Sequence, residues 1–106
     1  MAQFDVHRNV GRLRETIPYV VVVQSAQFDG YRRRIVVPLV RVKSLDASPL
    51  RSLNPEFTIR NVRVVLHSLD VASVPLEALG ERVASLADSG DTIVAAMDEV
   101  LTRAWG

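Results

Sequence analysis

The sequence has no cysteine, and this absence removes several classes of site at once. Disulfide bonds, zinc ribbons and thiol nucleophiles all require a cysteine side chain. Histidine is almost as scarce: only His7 and His67 occur, and neither falls in a spacing typical of metal ligands. The five glycines are scattered, and none opens a helix after a strand as a phosphate-binding loop requires. We therefore expect no metal, no cofactor and no nucleotide site.

The chain also lacks an excess of charge and a long apolar run. Its 13 basic and 12 acidic residues give a formal net charge of +1, which is too balanced for a protein that binds nucleic acid through many phosphate contacts. The apolar run at 19–23 is far too short to cross a bilayer, and the first residues lack the regions of a signal peptide. These features predict a cytoplasmic protein with no membrane contact, and they argue against a general nucleic-acid binder.

What the sequence does contain, over its first two thirds, is short runs of β-branched residues separated by turn residues. Predicted strands cover residues 3–7, 19–23, 35–42, 57–59 and 62–66. Asp29 and Gly30 predict a hairpin with a longish loop between the second and third strands, and Arg60-Asn61 forms the tip of another hairpin. Pro38 indicates an edge, a bulge or a kink in its strand, because proline cannot donate to a ladder. Residues 8–16 and 45–55 are predicted loops.

The C-terminal third changes to helical spacing. Asp91 is a plausible N-cap, and apolar residues then recur along one face of a predicted amphipathic helix over 91–104. The segment 80–87 stays ambiguous between helix and strand. The pattern predicts one mainly β domain over 1–106, an antiparallel barrel or curled sheet closed by a C-terminal helix. A chain of 106 residues buries only roughly two thirds of its unfolded surface, so dimerisation would stabilise it.

No catalytic constellation emerges from the residues. His67, Ser68 and Asp70 are close in sequence, but neighbours on one strand point to opposite faces, and no Gly-x-Ser-x-Gly elbow is present. The run 32–34 is arginine throughout, which fits either a solvated hairpin shoulder or a contact with an anion or RNA. Trp105, the only tryptophan, either packs back on the sheet or anchors an interface.

Several short motifs occur in a fixed order along almost the whole chain. The first half contains Gln3-Phe4, Val23-Gln24-Ser25, Arg33-Arg34, Val36-Val37-Pro38-Leu39 and Arg51-x-Leu53-x-Pro55. The second half contains Ala72-Ser73-Val74-Pro75, Leu79-Gly80-Glu81-x-Val83-Ala84-x-Leu86 and Trp105-Gly106. In these motifs and their order the chain resembles the CcdB family, the gyrase-poisoning toxins of type II toxin–antitoxin modules.

The resemblance implies an SH3-like antiparallel barrel, shared with the MazF and Kid ribonuclease toxins, with a C-terminal helix and a strand at 80–86. It also implies a homodimer whose C-terminal helices lie side by side at a two-fold axis. The implied activity is binding to the A subunit of DNA gyrase, which traps the enzyme on cleaved DNA without any catalytic residue of the toxin. A CcdA-like antitoxin, an acidic disordered segment that folds on binding, would neutralise it.

Carried over to this sequence, the resemblance implies two sets of contact residues. The gyrase contacts are Trp105, Gly106, Phe28, Gln27 and Leu101. The antitoxin contacts are Arg32, Arg33, Arg34, Arg41 and Lys43. The sequence departs from the family pattern in four ways. Gln27 replaces an apolar residue, Ala104 replaces the aromatic residue before Trp105, and the last helix has about one extra turn. The isoleucine that follows Trp-Gly in the family has no counterpart after Gly106.

A ribonuclease toxin on the same barrel is the alternative interpretation. Arg33 or Arg34, together with His67 and Asp70, would then supply the phosphate-binding and acid–base groups. Such an enzyme cleaves RNA beside a 2′-hydroxyl by general acid–base catalysis and needs no metal. The family resemblance favours the non-enzymatic gyrase toxin.

Overall fold

The computed structural model describes residues 2–45 and 53–102, and within them seven antiparallel strands form one curled sheet against a single α-helix. The strands are β1 (Asp5–Asn9), β2 (Tyr19–Val22), β3 (Arg33–Arg41), β4 (Glu56–Ile59), β5 (Val62–Leu66), β6 (Ala72–Pro75) and β7 (Leu79–Ser85). The helix is α1 (Gly90–Thr102). Short 3-10 turns join several of these elements.

The sheet has the strand order β4-β5-β3-β2-β1-β7, and β6 also pairs with β3. The chain therefore wraps a curled half-barrel around one apolar interior, and α1 covers it. This arrangement confirms the predicted mainly β fold with a C-terminal helix. It also confirms the strand that the family resemblance implied at 80–86, where β7 lies.

The core lies between the concave face of the sheet and α1. Its fully buried members come from the β-branched runs and from one face of the helix, and each large apolar side chain contributes about 1.5–3 kcal/mol of burial free energy. They include Val6, Val21, Val37, Leu39, Val64, Leu66, Ile93 and Ala96. The ring of Phe4 packs beside Gly90 at the start of the helix, so the first and last elements of the chain meet there.

Pro38 lies inside the sheet, not at an edge, and the pairing of β3 explains how the sheet tolerates it. One side of β3 pairs with β2 along much of the strand's length. The other side pairs with β6 through residues 33–36 and with β5 through residues 39–41. The Pro38 carbonyl accepts from the His67 amide on that second side. The missing N–H of Pro38 therefore falls where one partner strand ends and the next begins.

The turn between β4 and β5 confirms the predicted hairpin. Arg60 and Asn61 have φ values of 48° and 68°. Two consecutive positive φ values are what a two-residue type I′ turn requires, because this turn matches the right-handed twist of its strands. Asparagine adopts this region more readily than most residues, so Asn61 suits its place.

Several element boundaries differ from those predicted, each by one or two residues. The first strand is Asp5–Asn9 and not 3–7, so two residues of the predicted loop at 8–16 belong to β1. The helix starts at Gly90, which places Asp91 in its first turn and not at its N-cap. A carboxylate in the first turn still interacts favourably with the helix dipole. The predicted helix end at Ala104, and residues 46–52 of the predicted loop at 45–55, lie outside the described residues.

The close approach of β1 and β7 depends on Gly80. A Cβ at this position would lie 2.7 Å from the Arg8 carbonyl oxygen and 2.9 Å from Val10 Cγ1. The register between the two strands also shifts here, on either side of His7. Because the nearest atom belongs to the backbone, the strands must separate to admit a methyl group.

We expect Gly80→Ala to lower the free energy of unfolding by about 1–3 kcal/mol, the usual cost of overpacking. Gly30→Ala is the matched control, because no atom lies within 4 Å of a Cβ placed there. We expect that control to be neutral or stabilising by less than about 1 kcal/mol. Urea denaturation of both variants measures the difference. Equal stability of the two would contradict the close approach at Gly80.

Candidate functional site: two grooves at the ends of one strand

The loop between β2 and β3 presents an exposed aromatic pair. Phe28 and Tyr31 are 45% and 67% exposed, and their ring centroids lie 6.2 Å apart at 45°. Together with Ile35, also exposed, they line a groove of about 440 Å³. We call this the aromatic groove; its lining residues are Gln24, Phe28, Tyr31, Arg32, Arg33, Ile35 and Ser73. Exposed apolar side chains clustered in a concave surface are typical of a protein-binding site.

Backbone turns and side-chain hydrogen bonds give this loop its shape. A 3-10 turn at Ala26–Phe28 begins at Ser25, whose hydroxyl accepts from the Gln27 amide at 3.4 Å. The Gln24 side-chain amide donates to the Phe28 carbonyl at 3.1 Å and accepts from the Ile35 amide at 3.1 Å. The loop is therefore tied to β3, and Gln27 and Phe28 both face solvent.

The three consecutive arginines have different surroundings. Arg32 and Arg33 are exposed at the rim of the aromatic groove, and Arg33 donates to the Ser73 hydroxyl at 2.9 Å and to the Ser73 carbonyl at 2.7 Å. Arg34 is only 4% exposed. Its guanidinium donates to backbone carbonyls of the loop, so it does not face solvent as an antitoxin contact would.

A second, basic surface lies at the other end of β3. Arg41 is shared by two adjoining grooves of about 400 and 340 Å³. The first is also lined by Arg8 and Arg14, and the second by Lys43 and Asn61. We call the pair the basic groove. At the usual strand rise it lies about 26 Å from the aromatic groove, because Arg33 and Arg41 are the two ends of β3.

Local ion pairs reduce the charge of the basic groove only in part. Arg8 Nε lies 2.6 Å from Glu81 Oε1, and the hydrogen bond from Arg8 lowers the pKa of the Glu81 carboxyl. Arg41 Nε donates to the Glu15 carbonyl at 2.7 Å, which neutralises no charge. Lys43 lies at the surface of the second groove. The basic groove can therefore attract a negatively charged chain.

The outer face of α1 is the third surface with predicted site residues. Leu101 and Val94 are 68% and 46% exposed, whereas Ile93 and Ala96 are fully buried. Because Val94 and Leu101 are seven residues apart, they lie on the same side of the helix. Trp105 and Gly106, the main predicted gyrase contacts, lie outside the described residues.

The residues of the ribonuclease alternative do not converge on one point. His67 Nδ1 lies 3.0 Å from Asp70 Oδ2, without a well-directed hydrogen bond, so the two attract each other only when His67 is protonated. The His67 amide pairs with Pro38, four residues along β3 from Arg34 and thus about 13 Å away. His67 follows the end of β5, so the expectation that it shares a strand with Ser68 was wrong. Ser68 is fully buried and donates to the Leu53 carbonyl at 2.6 Å.

Residues 2–45 and 53–102 contain no group of three or more histidine and acidic side chains that could hold a metal ion. None of the helices in this part of the chain has the length and apolar character needed to cross a membrane.

The family resemblance implied Phe28, Arg41 and Lys43 as contacts, and no sequence reasoning pointed to several of their neighbours in the two grooves. Tyr31 had a usable signal, because an exposed aromatic residue directly after an Asp-Gly turn is unusual. Arg8 and Arg14 had none, since they reach the basic groove only through the pairing of β1 in the sheet.

The comparison with known families covers nearly the whole chain. A family model described as CcdB protein matches residues 3–103. That range includes both grooves and all seven strands.

Proposed function

The chain belongs to the CcdB family, the toxins of toxin–antitoxin modules, and we propose that it acts by binding the A subunit of DNA gyrase and holding the enzyme on cleaved DNA. The observation that carries this proposal is the exposed aromatic pair, Phe28 and Tyr31. Phe28 stands at the loop position where the family resemblance implies the gyrase-facing surface. A protein of this kind works by occupying a partner, so it requires no catalytic residue.

Phe28 also compensates for the main difference between this loop and the family pattern, which is the polar residue Gln27. Gln27 is exposed and polar where relatives carry an apolar residue, so it contributes little burial free energy. Phe28 and Tyr31 supply that burial instead, since aromatic side chains bury about 150–250 Å² each and dominate interface energetics. Leu101, Trp105 and Gly106 complete the proposed gyrase contacts from the C-terminal helix and the residues after it.

A homodimer is part of the proposal. The exposed apolar residues Val94 and Leu101 suit a helix that packs beside its copy at a two-fold axis, as the family resemblance implies. Two copies would also bring two Trp105 side chains to one partner. A monomeric mass in sedimentation equilibrium at micromolar concentration would contradict this part of the proposal.

The proposed antitoxin is an acidic, disordered, CcdA-like segment. Its contacts would be Arg41 and Lys43 in the basic groove, with Arg32 and Arg33 at the rim of the aromatic groove. These four side chains offer positive charge on the surface, whereas Arg34 does not. The toxin itself would reach DNA only through gyrase or through the antitoxin complex, in the cytoplasm.

The direct test is a gyrase assay with purified components. Immobilised chain is expected to retain the gyrase A subunit, and the chain is expected to increase gyrase-dependent cleaved DNA when supercoiled plasmid and ATP are present. The isolated gyrase B subunit, tested for retention, and a type I topoisomerase, tested for DNA cleavage, are the negative controls. Cleavage of single-stranded RNA by the purified chain, with no retention of the gyrase A subunit, would overturn the proposal in favour of the ribonuclease alternative.

A further inference from the structure

Arg34 is a buried cation whose hydrogen bonds go to the loop between β2 and β3 and to Arg33, the first residue of β3. Its Nη1 donates to the Tyr31 carbonyl at 2.5 Å and to the Arg33 carbonyl at 2.9 Å, and its Nη2 donates to the Asp29 carbonyl at 3.0 Å. The Asp29 carboxylate lies 3.7 Å from the same Nη2. The buried Nε has no hydrogen-bond partner among the described residues, so the two Nη atoms make all the contacts. Their three carbonyl acceptors and the nearby carboxylate offset most of the cost of burying this charge and hold it in place.

Gln24, two residues after the end of β2, holds the same loop from its other end. Its side-chain amide donates to the Phe28 carbonyl at 3.1 Å and to the Arg33 carbonyl at 3.4 Å. Two side chains therefore bind four carbonyls of the loop and its junction with β3, at positions 28, 29, 31 and 33. While side chains of the protein bind these carbonyls, the rings of Phe28 and Tyr31 remain exposed on the surface.

We infer that Arg34 is the positioning residue of the partner-binding loop, and that it sets the Phe28–Tyr31 pair in its binding geometry before the partner arrives. A loop that is already ordered loses less conformational entropy on binding, so its contacts contribute more to affinity. Only arginine fits this role, because its planar fork donates in several directions at once, whereas a lysine ammonium is a point donor on a flexible stem. The inference rests on the proposed function for the identity of the partner.

Hydrogen–deuterium exchange of the full chain tests the positioning role without any partner. In Arg34→Lys the charge is kept but the fork is lost, so we expect the amides of 26–32 to exchange about tenfold faster or more. Amides of β1, β2 and β5 should keep their wild-type rates. Arg63→Lys makes the same chemical change on an exposed side chain of β5 and should leave the loop unchanged. Unchanged exchange of the loop in Arg34→Lys would overturn the inference.

A double-mutant cycle on gyrase binding separates positioning from general destabilisation. Arg34→Lys is expected to weaken binding to the gyrase A subunit roughly tenfold in the wild-type background, but less than about twofold in a Phe28→Ala background. An equal loss in both backgrounds would show that Arg34 does not act through Phe28, and would overturn the inference. If the wild-type chain does not bind the gyrase A subunit, the proposed function fails, and the exchange experiment still decides the role of Arg34.

Discussion

Replacing Trp105 with alanine is expected to abolish growth arrest in bacteria that express the chain without an antitoxin. Tryptophan is among the residues most enriched in binding hot spots, whose truncation costs at least about 2 kcal/mol, or roughly a 30-fold loss of affinity. Stacking of an indole on an arginine of the partner would account for part of this loss. The measurements are colony formation, induction of the DNA-damage response and the affinity for the gyrase A subunit.

The controls for Trp105 separate binding from folding. Trp105→Phe keeps an aromatic ring and should retain part of the toxicity, because a smaller ring still stacks. Thermal unfolding of the alanine variant should match the wild type, since the core is built from the sheet and from Ile93 and Ala96. Full toxicity of a folded Trp105→Ala variant would refute the role of this residue, and the proposed gyrase contact would have to lie in the aromatic groove alone.

The double charge reversal Arg41→Glu/Lys43→Glu is expected to weaken antitoxin binding by roughly 30-fold or more. Each exposed pair contributes only up to about 1 kcal/mol, but reversal replaces attraction with repulsion at two neighbouring sites of one groove. Because the basic groove lies at the far end of β3 from Phe28, the affinity for the gyrase A subunit should stay near the wild-type value. Titration calorimetry against the acidic antitoxin segment measures the first effect.

The charge-conserving double variant Arg41→Lys/Lys43→Arg is the matched control. It also removes the hydrogen bond from Arg41 to the Glu15 carbonyl, so it separates that contact from the effect of charge. We expect it to bind the antitoxin nearly as well as the wild type. Raising the salt concentration should lower the affinity of the wild-type chain for the antitoxin, and it should reduce the difference in affinity between the wild type and the charge-reversed variant. Equal binding by the wild type and the reversed variant would exclude the basic groove as an antitoxin contact.

Sequence patterns predicted best those elements that are determined by their own residues. The hairpin of β4 and β5 follows from two apolar runs and a two-residue turn, and its predicted position was confirmed to within one residue. The run that forms β2 is buried at three of its four residues, as a β-branched stretch without alternation predicts. The position of Pro38 in the sheet was more difficult to predict, because the local sequence does not reveal that β3 changes partner strands there.

Elements that depend on distant partners were predicted less well. Asp5 and His7 are polar side chains of the first strand, yet both are buried. Arg82 of β7 pairs with the Asp5 carboxylate at 3.0 Å, and the Gly80 carbonyl lies 2.9 Å from the His7 ring nitrogen Nδ1. These partners are contributed by the opposite end of the sequence. For the same reason β7 was ambiguous from its own pattern, and only the family resemblance indicated a strand.

In the candidate site, too, features set by local sequence were predicted, and features set by distant partners were not. Neighbouring residues of a strand point to opposite faces, and Arg33 and Arg34 follow this rule. It did not predict which of them is buried, because the carbonyls that bind Arg34 become neighbours only when the loop folds back. Phe28 was identified from the aligned family motif, whereas Tyr31 joined it only in the folded loop.

The pairing of β3 has a consequence for how the chain acquires its structure during synthesis. One edge of β3 is satisfied by β2, which precedes it, but the opposite edge must wait for β5 and β6, which emerge later from the ribosome. For a period on the order of seconds, that edge presents unpaired amides and carbonyls. An unpaired edge is a template for aggregation, so this side of β3 can pair with other chains until β6 has been made.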